Sequence, residues 1–209
     1  MVFFSALAQA TLIPIAITAE VTGVSDRLGV LEGNINAGDI ITGMYIYDSS
    51  TPDSDPFEYR GVYEHHAPPY GITLTVGGFV FMTDPDNVNF IIEIGNDILT
   101  IAWIYDAYRL ESENNLPLSN GLSVDYFSLE LFDLSASALS SAALPTTAPV
   151  LDHWYTSYDD IRISGSGRGS FGIDGHLTSA VLIPEPATLA LLGLGALALV
   201  RRHKRSIEL

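Results

Sequence analysis

Apolar and polar positions alternate along most of this chain, with the period of a β-strand. Ile72, Leu74 and Val76 share one parity and Thr73 and Thr75 the other, which predicts a strand with one buried face. Phe171, Ile173, Leu177 and Val181 repeat the pattern opposite Asp174, His176 and Thr178. The same reading predicts strands over 13–24, 39–47, 61–64, 79–82, 89–94, 98–110, 123–132 and 159–163. Turn residues separate them, as in Thr51-Pro52-Asp53-Ser54-Asp55-Pro56, Asp84-Pro85-Asp86-Asn87 and Asn114-Asn115-Leu116-Pro117. Gly95-Asn96-Asp97 stands between two apolar runs and predicts a hairpin turn. Ser135 to Ala143, rich in Ala and Ser, reads as a loop or one short helical turn. Nine or ten short strands imply an all-β fold, an antiparallel, jelly-roll-like β-sandwich over residues 11–183.

The pattern changes abruptly after Ile183. Pro184-Glu185-Pro186 cannot continue a strand ladder, because proline has no N–H and biases its predecessor to extended geometry. Ala187 to Val200 then carries no charge and is apolar all round, through Leu189, Leu191, Leu192, Leu194, Leu197 and Leu199. At 1.5 Å per residue a helix there spans about 21 Å, short of the roughly 30 Å of a bilayer's hydrocarbon. Its surroundings still favour a membrane span. A helix without a polar face cannot dock on a soluble core and also meet water. Arg201, Arg202, Lys204 and Arg205 follow at once, and their long side chains reach the headgroups. Basic residues beside a span stay on the cytoplasmic side, so the rest of the chain is expected outside the cytoplasm.

In order and composition, Ile183 to Arg205 resembles a PEP-CTERM sorting signal of exported bacterial proteins. Two departures are small: Ile183 stands where Val is usual, and Ser206-Ile207-Glu208-Leu209 trails the basic cluster. The resemblance implies recognition by an exosortase, a membrane-embedded cysteine peptidase, and processing near Pro184-Glu185-Pro186. It also implies release or transfer to the cell surface, often in bacteria that make exopolysaccharide. The body resembles, more loosely, domains attached to such signals, through Gly38-Asp39-Ile40-Ile41-Thr42-Gly43, Tyr47-Asp48 and Gly175-His176-Leu177-Thr178-Ser179. At the other end, Met1 to Ala10 reads as the remnant of a secretory signal peptide, with Ala8-Gln9-Ala10 as an A-x-A cleavage site. Residues 184–209 form the sorting segment of this division.

Charge narrows the partners. Residues 1–183 hold five basic and 23 acidic groups, a formal −18, against −16 for the whole chain of 209 residues. Such a body repels nucleic acid and anionic headgroups, so no nucleic-acid partner is expected. The chain has no cysteine, which excludes disulfides, thiol catalysis and Cys-ligated metals.

Candidate chemistry in the body is sparse. Asp84, Asp86 and Asn89 place oxygen atoms close together, as calcium loops do. The segment lacks the glycine at the sixth position and the acid at the twelfth, where Gly95 stands, and Asp/Asn turn chemistry explains it better. Asp53 and Asp55 read the same way. His65 and His66 are neighbours on a strand and point to opposite faces, so they do not chelate one ion together. Ser166 lacks the G-x-S-x-G elbow, and Gly165, Gly167 and Gly169 lack dinucleotide spacing. Trp103, Trp154 and Tyr155 are candidates for stacking on sugar rings or for the core. Many carboxylates are present, but nothing singles out a glycosidase pair.

The expectation is therefore an exported, membrane-held and then surface-sorted structural or interaction protein, with no enzymatic activity and no cofactor. The alternatives are a carbohydrate-binding module in an exopolysaccharide matrix and, with no motif behind it, a hydrolase. The expected partners are an exosortase-type peptidase, membrane lipid and exopolysaccharide.

Overall fold

The computed structural model describes residues 11–154, 160–166 and 169–184. Ten strands form in chain order: β1 Leu12–Ser25, β2 Ile40–Asp48, β3 Arg60–His65, β4 Gly71–Val76, β5 Phe79–Met82, β6 Phe90–Leu99, β7 Ile104–Ser112, β8 Ser123–Asp133, β9 Ile161–Ser166 and β10 Phe171–Leu182. The one helix among the described residues is a single 3-10 turn, Leu151–His153. All strands join one antiparallel sheet in the order β3-β6-β7-β8-β9-β10-β1-β2-β4-β5.

The all-β, antiparallel expectation is met, whereas the jelly-roll-like order is not. From β6 to β10, and on through β1 and β2, neighbours in sequence or at the chain's two ends pair directly. The exception is β3, which pairs with β6 at the edge opposite β4 and β5, so the β2–β3, β3–β4 and β5–β6 connections cross from one end of the strand order to the other, and the strands form one sheet rather than the two of a jelly roll. The strands nonetheless enclose a two-sided core, because the sheet folds over on itself. Phe81 on β5 meets Phe127 on β8 with ring centroids 6.3 Å apart, and the hydroxyls of Tyr45 on β2 and Tyr108 on β7 lie 2.9 Å apart. The fold is stitched beside β5, where Thr83 bridges to Asn115 and the Leu116 N–H donates to the Met82 carbonyl at 2.9 Å.

The alternation seen in the sequence is the core. Ile13, Ile15, Ile17, Ala19 and Val21 on β1, Ile72, Leu74 and Val76 on β4, and Phe171, Ile173 and Leu177 on β10 are all buried. Their pleat partners Thr18, Thr73 and Asp174 are partly exposed. On the core face of β10, Gly175 allows a close approach: a Cβ there would sit 2.9 Å from Ile41 Cδ1 and 3.2 Å from the Glu20 carbonyl oxygen. Burial at roughly 25 cal/mol per Å² of apolar surface makes this shared face the main source of stability.

One predicted turn is displaced. Gly95-Asn96-Asp97 is no hairpin; it lies inside β6, where the pairing with β7 shifts register between Gly95 and Ile98. Asp97 has φ 55°, which suits a bulge as well as a turn. The strand continues to Leu99 and reverses only at 100–103. The bulge is held from outside the strand: the Asp97 N–H donates to Asp106 Oδ1 at 2.9 Å and the Asn96 N–H to the Tyr59 carbonyl at 2.9 Å. Residues 135–143 form a loop rather than a helical turn.

Candidate functional site

The sequence placed the functional residues at the end of β10, and the structure shows how the chain leaves the sheet there. Leu182 is the last β10 residue in register with β1, opposite Ile15. The Ile183 N–H donates to the Pro14 carbonyl at 2.8 Å. Pro184 follows, exposed and without an N–H to extend the ladder. The remaining sorting residues, Glu185 and Pro186, the apolar span through Val200 and the cluster Arg201, Arg202, Lys204 and Arg205, lie outside the described residues, as does the signal-peptide reading of Met1 to Ala10. Among the described residues no helix is long and apolar enough to cross a membrane.

The calcium candidates are not drawn together. Asp84 Oδ1 accepts the Asp86 N–H at 2.9 Å, an Asx turn, while Asn89 Nδ2 donates to Glu113 Oε2 at 3.0 Å. Asp53 Oδ1 accepts N–H groups from Asp55 and Val62, both at 2.9 Å, and Asp55 faces Arg60 at 3.6 Å. Among the described residues no three His, Cys, Asp or Glu side chains cluster as a metal site would require. His65 and His66 point to opposite sides as the strand period requires: His65 is buried and His66 exposed. His65 Nε2 accepts the Asp48 N–H at 3.2 Å and lies 3.0 Å from Thr51 Oγ1, and burial pushes its pKa down. Of the sugar-stacking candidates, Trp154 is 7% exposed and belongs to the core, whereas Trp103 is 64% exposed at the β6–β7 turn. Tyr155 lies outside the described residues, and exposed Ser166 ends β9.

Three polar arrangements escaped the sequence reading. Asp106 and Asp133 are buried opposite one another, fed by N–H groups from the 135–139 loop. Burial favours neutral Asp133, yet bonds from the Ser135 hydroxyl and the N–H groups of Ser137, Ser135 and Ala138 outweigh it and lower its pKa to about 2. Asp160 Oδ2 lies 2.7 Å from His176 Nδ1 and accepts the Leu177 N–H at 2.8 Å, so it orients a half-buried imidazole. The tyrosine hydroxyls of Tyr47 and Tyr63 donate to the carbonyls of Pro145 and Ala142, each at 2.8 Å, and pin the long β8–β9 connection to β2 and β3. No local signal marks these partners, which are up to 98 residues apart. Among the described residues, the cavity lined by Met44, Tyr70 and Thr83 holds about 120 Å³ and the one lined by Tyr108, Pro145 and Trp154 about 110 Å³, well below the roughly 300–1,000 Å³ of small-molecule clefts.

No curated protein and no solved structure matches the chain. The family model of the PEP-CTERM protein-sorting motif matches residues 182–205, starting on the final residue of β10. This chain therefore carries a PEP-CTERM sorting motif, the mark of an exported protein that is sorted by way of the membrane and recognised by an exosortase.

Proposed function

We propose that the chain is an extracellular structural or interaction protein without catalytic activity. It is held for a time in the inner membrane by residues 187–200 and freed near Pro184-Glu185-Pro186 for the cell surface or matrix. The observation that carries this reading is where the motif begins. Residues 182–205 start on the last ladder position of β10, and the Ile183–Pro14 bond precedes the first proline of the motif. A cut near Pro184-Glu185-Pro186 removes no strand, so the ten-stranded body leaves the membrane with its core whole. The basic cluster sets orientation and the uncharged segment sets retention.

Production of the full chain in a bacterium with and without its exosortase tests this. The expected result is a membrane-bound precursor without the peptidase and a shortened form, ending near Pro184, with it. Substituting Pro184, Glu185 and Pro186 together by alanine should preserve the precursor. A full-length chain recovered dissolved from the cytosol in both strains would overturn the reading. The carbohydrate-binding alternative has less support, because Trp154 is in the core and leaves Trp103, 64% exposed at the β6–β7 turn, as the one exposed tryptophan.

A further inference from the structure

The β6–β7 turn is an apolar tip with no polar reason to be exposed. Residues 98–105 read Ile-Leu-Thr-Ile-Ala-Trp-Ile-Tyr, with no charge. Leu99, Ile101, Trp103 and Ile104 are all exposed, Ile101 fully. Contiguous apolar exposure of this kind marks an interaction surface. Three backbone N–H groups of the tip are satisfied within it. The Thr100 N–H donates to the Trp103 carbonyl at 2.8 Å, and Thr100 Oγ1 accepts the Trp103 N–H at 3.0 Å and the Ala102 N–H at 3.4 Å. A tip bonded in this way can leave water without stranding those donors, the condition for entering lipid.

Register shows which way the tip faces. Leu110 pairs with Leu129, Leu129 with Ile161 and Ile161 with Gly175, one row across β7, β8, β9 and β10. From that row β7 runs back to Ile104 and β10 runs on to Leu182 on the same side, over nearly equal lengths. Sheet twist of roughly 20–25° per strand turns the two ends apart by about 60–75° over three steps, less than a right angle. Both ends thus rise toward one side of the domain. Val181 and Leu182, where the chain departs, are exposed apolar residues too. Only Ile183 to Pro186 separate that departure point from the uncharged segment.

We infer that the β6–β7 tip is a second membrane contact: it docks into the interfacial layer of the bilayer that holds the sorting segment, with Trp103 at headgroup depth. The inference rests on the membrane-held reading above. Lipid suits the surface better than a polar partner, since the tip is uncharged and its tryptophan combines a broad apolar ring with one N–H. The acidic body around it selects neutral headgroups over anionic ones. Docking would fix how the Pro-Glu-Pro step stands over the membrane surface.

The test uses the full chain reconstituted in phosphatidylcholine vesicles, some with brominated acyl chains that quench nearby tryptophan. Trp103 emission should be quenched, Trp103→Phe should lose the quenching while still floating with the vesicles, and anionic lipid should weaken it. Vesicle-bound chain with Trp103 unquenched and open to aqueous acrylamide would overturn the docking and leave the sorting function standing. Failure to float at all would overturn both. Shielding that follows protein concentration rather than lipid composition would assign the tip to a second copy and overturn the inference.

Discussion

Asp106 and Asp133 stand directly opposite one another on β7 and β8, and both carboxylates are buried. Like charges in such positions repel across a strand pair. Here each is surrounded by donors. Asp106 accepts the N–H groups of Asp97 at 2.9 Å and Leu139 at 2.8 Å. Asp133 accepts those of Ser135, Ser137 and Ala138 at 2.7–2.9 Å and the Ser135 hydroxyl at 2.6 Å. The pair thereby organises both the β6 bulge and the loop after β8.

Replacing either acid by asparagine turns an acceptor into an amide that faces N–H donors. Each of Asp106→Asn and Asp133→Asn should cost roughly 2–4 kcal/mol, the scale of lost charge-assisted bonds plus stranded donors. Urea unfolding of the two variants measures it, and a cost below about 0.5 kcal/mol would deny the carboxylates this role.

Asp133 also predicts an acid limit. Its pKa is lowered from 3.8 to about 2 in the folded state, so the unfolded chain binds the proton more readily in between. Its contribution is complete above 3.8 and is lost as pH falls through that window. Chemical denaturation across this range should show a slope that Asp133→Asn flattens.

His65 has the opposite chemistry and the same sign. Burial lowers its pKa below 6.5, and Nε2 accepts the Asp48 N–H, so the native state holds the neutral ring. The unfolded state takes up the proton first as pH falls. Stability is full above 6.5 and declines below it. His65→Gln should unfold more easily at neutral pH, having lost ring contacts with Tyr47, Tyr70 and Phe90, but its stability should fall less between neutral and mildly acid pH.

Tyr45 and Tyr108 share one hydrogen bond of 2.9 Å in the core, and burial raises the pKa of both hydroxyls. Removing either hydroxyl leaves the other short of its partner, at about 1–3 kcal/mol. Removing both should cost less than the sum of the single changes. A double-mutant cycle on Tyr45→Phe and Tyr108→Phe checks this; strict additivity would show that the hydroxyls are not coupled.

How much was readable in advance differs from element to element. The strands at 79–82 and 72–76 could be read because period-two alternation over a buried face is a local property that tertiary context reinforces. Gly95-Asn96-Asp97 misled because a bulge and a hairpin turn draw on the same residues. The choice between them lay with Asp106, several residues on and paired across the ladder. The carboxylate cradle was equally invisible, since its donors are backbone N–H groups and carry no side-chain signature.

From the order of residues alone came the all-β class, the core-facing positions and the sorting segment, because pleat parity, proline's missing N–H and an uncharged apolar run act over short distances. The single ten-stranded sheet with β3 carried to its far edge, the meeting of Tyr45 with Tyr108, and the rise of the β6–β7 tip on the same side as the departing chain belong to the tertiary structure. They follow from which strands pair and in what register, a choice settled by closing one core and satisfying every buried polar group together.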